Sequence, residues 1–303
     1  MSFYQKHRKI IKRLISTFVP VRSWRHKITS ALDYPQGWRA FLKQARQMKR
    51  IDKSHPHQKH FLSVLAIIKN ESAYLPEWLE YYSLLGVDKI YIYDNESDDS
   101  TMEILKPYID SGFVEYKYWP GQRQQLHAYK HCIETHKFDT TWLAVVDLDE
   151  FILPIKHGNI ADYLRSLPKS VGQVSTPWLF FGSNGHEEKP SGLVIESYTK
   201  SARKIWHRKS IINPRLIFDA FVHVGVCASK TIYPNKNVIR TNHYYCKSWA
   251  EYQRRKSRGD AMHGQTFAEN TFQRADFDKH DMNDIEDTAI LKHVPELNKK
   301  LRK

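Results

Sequence analysis

The sequence contains few cysteines and no long apolar segment. Its 303 residues include only Cys132, Cys227 and Cys246, and none of them forms a Cys-x-x-Cys pair. This spacing excludes a disulfide-built scaffold and a cysteine-built zinc finger, and it favours a reducing compartment. No run of about 18 apolar residues and no signal-peptide core is found, so we expect neither a membrane-spanning helix nor secretion.

Glycine-rich and nucleophile motifs are also missing. The chain has no Walker loop, no Gly-x-Gly-x-x-Gly and no Gly-x-Ser-x-Gly. P-loop hydrolases, Rossmann dehydrogenases and serine hydrolases therefore lack the residues that their chemistry requires. With 41% hydrophobic and 26% charged residues, the composition is that of a globular protein, which excludes wholesale disorder and fibrous folds.

Acidic residues are nearly absent from the first 60 positions. This segment carries 15 Lys or Arg against two Asp or Glu, a net charge of +13, whereas the other 243 residues carry 32 against 31. Five apolar residues recur on one face of a predicted basic helix, namely Ile10, Ile11, Leu14, Ile15 and Phe18. We interpret residues 1–60 as a helical appendage that binds an anionic membrane surface on its cytoplasmic side.

Two other interpretations of this appendage stay open. A second apolar stripe comprises Trp38, Phe41, Leu42, Ala45 and Met48, and such a stripe can equally pack on the chain's own domain. Nucleic acid is the weakest alternative, because no RNA-binding signature accompanies the positive charges.

From residue 61 onward, the sequence alternates predicted strands and helices. Strand-like runs cover 61–68, 89–93, 113–119 and 142–146, and helix-like segments cover 76–85, 102–109 and 122–136. This order predicts an α/β fold with a parallel sheet, whose ligands collect beyond the carboxyl ends of the strands. We expect short strands after residue 171, among them 193–198, to form a less regular half that covers the site.

Polar residues follow three of these strands directly. Asn70 and Glu71 follow the first strand, Asp94 ends the second, and Asp147 and Asp149 follow the fourth. In an extended segment, residues two apart point to the same side, so the last two carboxylates would face one spot. Hard oxygen ligands of this kind suit Mn²⁺ or Mg²⁺ carrying a diphosphate.

Several segments in this order resemble glycosyltransferase family 92 and related family 2-like glycosyltransferases. The similar segments lie within residues 61–265 and comprise Lys69–Glu71, Pro76–Tyr82, Tyr91–Asn95, Asp147–Phe151, Trp178–Gly185 and Asn242–Ser248. The resemblance implies a GT-A fold, which is a Rossmann-like, mixed but mostly parallel sheet flanked by helices. It also implies a nucleotide-sugar donor, a divalent metal that is usually Mn²⁺, and inversion at the anomeric carbon.

The same resemblance implies roles for individual residues. Asn70, Glu71, Asp94 and Asp147 would contact the nucleotide, and Asp147, Asp149 and His243 would bind the metal. Lys256 and Arg258 would neutralise the leaving diphosphate.

An inverting transfer also needs a general base on the acceptor hydroxyl. Residues 181–188 form a glycine-containing loop that ends in Glu187 and Glu188, and such a loop can close over a donor. We predict that Glu188 or Glu187 is the base, with His186 and His223 as rivals.

These observations lead to one functional prediction. The chain would have an appendage (1–60), a glycosyltransferase domain (61–270) and a polar tail (271–303). It would transfer a sugar, with galactose from a UDP donor as one candidate, to a surface-glycan or lipid-linked glycan acceptor. The alternatives are a GT-A-fold binding protein without turnover and a metal-dependent nucleotidyltransferase, whose glycine-rich basic loop is missing after the first strand.

Overall fold

The computed structural model describes residues 10–15, 17, 28–29, 37–205, 207–220, 223, 225–257 and 274–302. Among these residues, none of the helices has the length and apolar character needed to cross a bilayer. Residues 10–15 are helical, and the side chains of Ile10 and Leu14 are exposed. Phe18, which belongs to the same predicted apolar face, lies outside the described residues.

The first half of the structure alternates helices and strands as expected. Its elements are α1 (Gly37–Ser54), β1 (His60–Ile68), α2 (Leu75–Leu84), β2 (Lys89–Asp94), α3 (Thr101–Asp110), β3 (Val114–Tyr118), α4 (Gln125–His136) and β4 (Thr140–Val145). The four strands and three helices predicted between residues 61 and 146 are thereby confirmed. Apolar runs such as that of β1 are buried on both faces of the sheet, as in other parallel sheets.

The second half extends the same sheet. Its elements are β5 (Glu150–Pro154), α5 (Ile160–Arg165), β6 (Val171–Phe180), α6 (Val194–Ser197), β7 (Lys200–Ser201), β8 (His207–Ile212), β9 (Ile217–Ala220), β10 (Gly225–Cys227), β11 (Lys230–Ile232), β12 (Ile239–His243), α7 (Trp249–Ser257), α8 (Arg274–His280), β13 (Ile285–Glu286) and α9 (Val294–Leu301). Two expectations were wrong. Residues 193–198 contain a short helix instead of a strand, and most of the second-half strands join the main sheet.

The main sheet is mixed but mostly parallel. Within the described residues its strands are ordered β3-β2-β1-β4-β8-β6-β12-β5, with β11 also paired to β6. Only β8 and β5 run against the other strands. The carboxyl ends of β1, β2, β4, β6 and β12 therefore meet at one edge, and β8 and β5 begin at that edge.

The connection between β4 and β5 forces this edge to curve. Five Cα steps from Val145 to Glu150 can span at most about 18 Å, and three strands lie between β4 and β5 in the sheet order. Four strand spacings amount to about 19 Å in a flat sheet. Because residues 148–149 form a turn instead of an extended segment, the strand ends must be drawn together here.

The helix α1 and the last residues of the described chain pack on the folded body. In α1, Phe41 is 5% exposed and stacks on Phe218 with ring centroids 4.4 Å apart. Phe41, Ala45 and Met48 of the second apolar stripe therefore pack on the domain, whereas Leu42 is exposed. At the other end, Ile290 and Leu297 are buried in the main core, and Lys300 of α9 contacts Glu80 at 2.9 Å. The divisions at residues 60 and 270 stay predictions, but both flanking segments contribute to the folded body.

Candidate active site

The Asp147–Glu150 segment forms a closed turn at the carboxyl edge of the sheet. The Glu150 backbone N–H donates to the Asp147 carbonyl at 3.0 Å, and the Asp147 N–H donates to Glu150 Oε2 at 2.9 Å. The expectation that Asp147 and Asp149 share one direction in an extended segment was wrong, because the backbone turns between them. The two aspartates contact different cations instead.

Asp147 binds Lys209, a residue that the sequence analysis missed. Lys209 Nζ, at the start of β8, lies 2.8 Å from Asp147 Oδ2 and 3.1 Å from Glu150 Oε2. Burial opposes the charge on Lys209, but the two carboxylates outweigh this effect and raise its pKa well above the usual value. Burial also raises the pKa of Glu150, a rise that Lys209 limits. The other Asp147 oxygen accepts weak hydrogen bonds from Tyr129 and Gln125 of α4.

Asp149 pairs with the predicted metal ligand His243. Asp149 Oδ2 lies 3.2 Å from His243 Nε2 at the end of β12 and 3.1 Å from Arg255 Nη1 of α7. Although burial alone would raise the pKa of Asp149, His243, Lys247 and Arg255 hold it well below its usual range. Burial lowers the pKa of His243, an effect that the neighbouring Asp149 opposes.

Buried polar atoms without partners collect around this pair. His243 Nδ1, Glu150 Oε1 and Trp178 Nε1 have no hydrogen-bond partner among the residues that the structure describes. The Trp178 indole stacks on the His243 ring at 4.2 Å between centroids. Because unpaired buried polar atoms are costly, their grouping at one edge indicates a place where a polar ligand supplies the missing partners.

The pair of Asp149 and His243 fits a divalent metal better than Asp147 does. No group of three or more His, Cys, Asp or Glu is arranged to hold a metal within the described ranges. However, the 3.2 Å between Asp149 Oδ2 and His243 Nε2 matches two adjacent ligands of an octahedral ion, which lie about 3 Å apart for bonds near 2.1 Å. Both oxygens of Asp147 already accept from the protein.

The predicted nucleotide residue Asn70 lies in the loop after β1, and Asp94 is the last residue of β2, directly before the adjoining loop. Asn70 has a positive φ of 52° and its N–H donates to Ser97 Oγ, while its Oδ1 accepts from the Asp98 N–H at 2.9 Å. Asp94 is 4% exposed, and its oxygens accept from the Ser97 N–H and the Tyr116 hydroxyl. These side chains therefore shape the loops after β1 and β2. Glu71 follows Asn70 and is half-buried.

The predicted base residues lie on a loop that is held in place. Glu187 is exposed and binds Arg274 through two contacts of 2.9 Å, and this contact lowers its pKa. A base that works near neutral pH needs the opposite shift. The Ser183 hydroxyl donates to Asp281 at 3.0 Å, and the Asn184 N–H donates to Asn283. Glu188 is exposed, so its role as the base stays a prediction that this geometry does not support.

Lys256, one of the two predicted diphosphate residues, contacts a tyrosine and an aspartate of its own domain. Lys256 Nζ donates to the Tyr245 hydroxyl at 3.2 Å and lies 3.4 Å from Asp276 of α8. Arg258 lies outside the described residues. The cation that contacts Asp149 is Arg255, which the sequence analysis did not assign to this role.

Comparisons with known proteins agree with the sequence resemblance. The model of "Glycosyltransferase family 92" matches residues 62–292. A family 92 protein of Oryza sativa subsp. japonica is 26% identical over 223 residues, which cover 70% of this chain and 38% of that protein. One from Arabidopsis thaliana is 28% identical over 219 residues, covering 64% and 37%. The chain thus spans less than two fifths of the length of these curated relatives.

Solved structures show more distant similarity. The crystal structure of residues 1–349 of TarS from S. aureus has a TM-score of 0.39 at 12% identity, covering 64% of this chain and 63% of that one. Glucosyl-3-phosphoglycerate synthase from Mycobacterium tuberculosis, crystallised with Mn²⁺, uridine diphosphate and glucosyl-3-phosphoglycerate, has a TM-score of 0.29 at 16% identity, covering 44% and 48%. Because the family model covers most of the sequence, from β1 to the residues before α9, the chain belongs to glycosyltransferase family 92.

Proposed function

We propose that this chain is an inverting glycosyltransferase that takes its sugar from a nucleoside diphosphate donor, most simply UDP-linked. The observation that carries the proposal is the largely buried pair of Asp149 and His243 at the carboxyl edge of the sheet, where neighbouring polar atoms lack partners among the residues that the structure describes. Ligands of open α/β sheets bind at this edge. The loop that contains Asn70 and the loop that follows Asp94 end at the same edge and would receive the nucleoside.

A divalent metal belongs to this proposal. Asp149 and His243 would hold Mn²⁺ or Mg²⁺, which would offset the negative charge that develops on the departing diphosphate. Lys209 would keep Asp147 and Glu150 in place beside the metal, through its contacts at 2.8 and 3.1 Å. The indole of Trp178 keeps the His243 ring in its orientation by stacking on it.

The test is nucleotide release by the full chain. UDP-galactose, UDP-glucose, UDP-N-acetylglucosamine and GDP-mannose are each incubated with Mn²⁺ or with EDTA, and the released nucleoside diphosphate is measured. We expect release from one UDP-sugar that requires Mn²⁺ and is lost in Asp149→Asn. Binding without release would favour a GT-A-fold binding protein. Pyrophosphate release from a nucleoside triphosphate with a sugar phosphate would favour a nucleotidyltransferase.

The location on the cytoplasmic face of a membrane is a separate proposal. Ile10 is 61% and Leu14 is 50% exposed on a helical segment, and the first 60 residues carry a net charge of +13. Apolar side chains among cations are typical of helices that lie on anionic lipid. This location would bring a lipid-linked glycan acceptor within reach.

Sedimentation with vesicles tests the membrane proposal. We expect the full chain to sediment with phosphatidylglycerol vesicles at low salt, and the double variant Ile10→Ser/Leu14→Ser to stay in solution. Both side chains are exposed, so we do not expect their replacement to unfold the protein. Equal melting temperatures of the variant and the wild type would verify this. Equal sedimentation of both proteins would contradict the proposal.

A further inference from the structure

Lys247 is a buried lysine to which no role has been assigned. Lys247 is 5% exposed and lies two residues before the first residue of α7. Among the described residues, none forms a hydrogen bond or an ion pair with its Nζ. The Nζ lies over the Tyr74 ring, 4.3 Å from the ring centroid, in a cation–π contact. Buried ammonium groups are normally paired. Within the described residues, Lys247 thus has an aromatic contact but no hydrogen-bond acceptor and no paired carboxylate.

The backbone around Lys247 is fixed in an unfavourable conformation. Its φ is +51°, which is uncommon for residues with a side chain beyond Cβ. The following residues form a capping box, in which the Ser248 hydroxyl accepts from the Glu251 N–H and Glu251 Oε2 accepts from the Ser248 N–H. The capping box fixes the start of α7 and thereby the direction in which the Lys247 side chain extends from the backbone.

The nearest acid along the chain is already occupied. Glu251 accepts from the hydroxyls of Tyr74, Tyr198 and Ser248 at 2.7, 2.5 and 2.7 Å. These three donors use both carboxylate oxygens. The contact with Tyr74 also fixes the ring on which Lys247 lies. A cation next to the positive N-terminal end of a helix is unfavourable as well, so three features of this position lower stability instead of raising it.

The surroundings show where the charge of Lys247 acts. The Tyr74 ring, over which its Nζ lies, follows β1 closely, and the Tyr74 N–H donates to the Glu71 carbonyl at 2.9 Å. Lys247 also interacts electrostatically with Glu71, in the loop after β1. On the other side, the N–H of Tyr244, three residues before Lys247, donates to the Asp149 carbonyl at 2.8 Å. Lys247 therefore belongs to the segment that connects the proposed metal pair with the loop proposed to receive the nucleoside.

We propose that Lys247 is the phosphate-binding cation of this site and holds the diphosphate of the donor and of the released nucleotide. This inference rests on the proposed function. It assigns to Lys247 the role that the sequence suggested for Lys256, because Lys256 is engaged by Asp276 and Tyr245. Uridine, which has no phosphate, would not use this contact.

Calorimetric titration tests the assignment, with UDP, pyrophosphate and uridine as probes in the presence of Mn²⁺. Loss of one charge-assisted contact should weaken UDP and pyrophosphate binding about 10- to 100-fold in Lys247→Met. Uridine affinity should be unchanged, and Lys247→Arg should recover part of the loss. The matched control is Lys137→Met, another lysine over an aromatic ring, which lies at the opposite edge of the sheet and should bind like wild type.

The outcomes separate this inference from the proposed function. UDP binding that is unaffected in Lys247→Met would overturn the inference and leave the proposed function standing, and a loss in Lys256→Met would then return the role to that residue. A wild-type chain that binds neither UDP nor pyrophosphate would overturn both. Because Lys247→Met changes a buried side chain near the start of α7, melting temperatures are compared, and Lys247→Arg at wild-type stability with a pyrophosphate affinity between those of wild type and Lys247→Met supports the assignment.

Discussion

Removal of the Lys209 ammonium group should destabilise the protein in a pH-dependent way. In Lys209→Met the side chain keeps its approximate length, but Asp147 and Glu150 lose the cation that lies 2.8 and 3.1 Å away. Asp147 is 31% exposed and can be solvated in part, whereas Glu150 is fully buried. The main cost therefore falls on Glu150, which must either stay charged without a partner or take up a proton.

Protonation of Glu150 sets an upper limit to the free energy of unfolding that Lys209→Met loses. A glutamate with an unfolded-state pKa near 4.3 takes up a proton at pH 7 for about 3.7 kcal/mol, and at pH 5 for about 1 kcal/mol. In the variant, the folded-state pKa of Glu150 rises further above the unfolded value. The contribution of Glu150 to the free energy of unfolding is therefore most favourable in acid and falls as pH rises. We expect a loss of about 3 kcal/mol at pH 7, which is in the range for breaking a buried ion pair, and about 1 kcal/mol at pH 5.

Thermal unfolding followed by circular dichroism measures both values. A loss of 3 kcal/mol corresponds to a Tm that is roughly 6–12 °C lower at pH 7, at about 2–4 °C per kcal/mol. The control Lys130→Met removes a half-exposed ion pair with Asp219, which is worth about 0–1 kcal/mol. Adding Glu150→Gln to Lys209→Met should recover part of the Tm. A Tm within 2 °C of wild type at pH 7, or a larger loss at pH 5 than at pH 7, would refute the reasoning.

Three further predictions concern the metal, the base and the first helix. Asp149→Asn should lower Mn²⁺-dependent nucleotide release about 10²-fold or more and weaken Mn²⁺ binding in calorimetry; unchanged Mn²⁺ affinity would contradict the assignment. Glu187→Gln should leave transfer within about threefold of wild type because Arg274 binds this carboxylate; a loss of about 10²-fold in Glu188→Gln would establish that residue as the base, and full activity in both would direct the search to His186 and His223. Phe41→Ala should destabilise the protein by about 3–5 kcal/mol, and an unchanged melting temperature would mean that α1 is not part of the folded domain.

The sequence by itself determined the alternation of strands and helices between residues 61 and 146. Burial on both faces of β1 and the helical spacing of apolar residues are local patterns, and local patterns report which sides of an element face the core. The placement of Asn70, Asp94 and Asp147 at strand ends followed from the same periodicity, because parallel strands share a carboxyl edge.

Other features depended on the tertiary structure, because sequence periodicity does not tell which strands become neighbours. Lys209 reaches Asp147 only because β8 runs against β4 and begins where β4 ends. His243 meets Asp149 because β12 pairs with β5 in the register that places it opposite Glu150. The loop that contains Ser183 is held by Asp281, 98 residues away. Each of these contacts joins segments that are distant in sequence, so their geometry was decided when the sheet assembled.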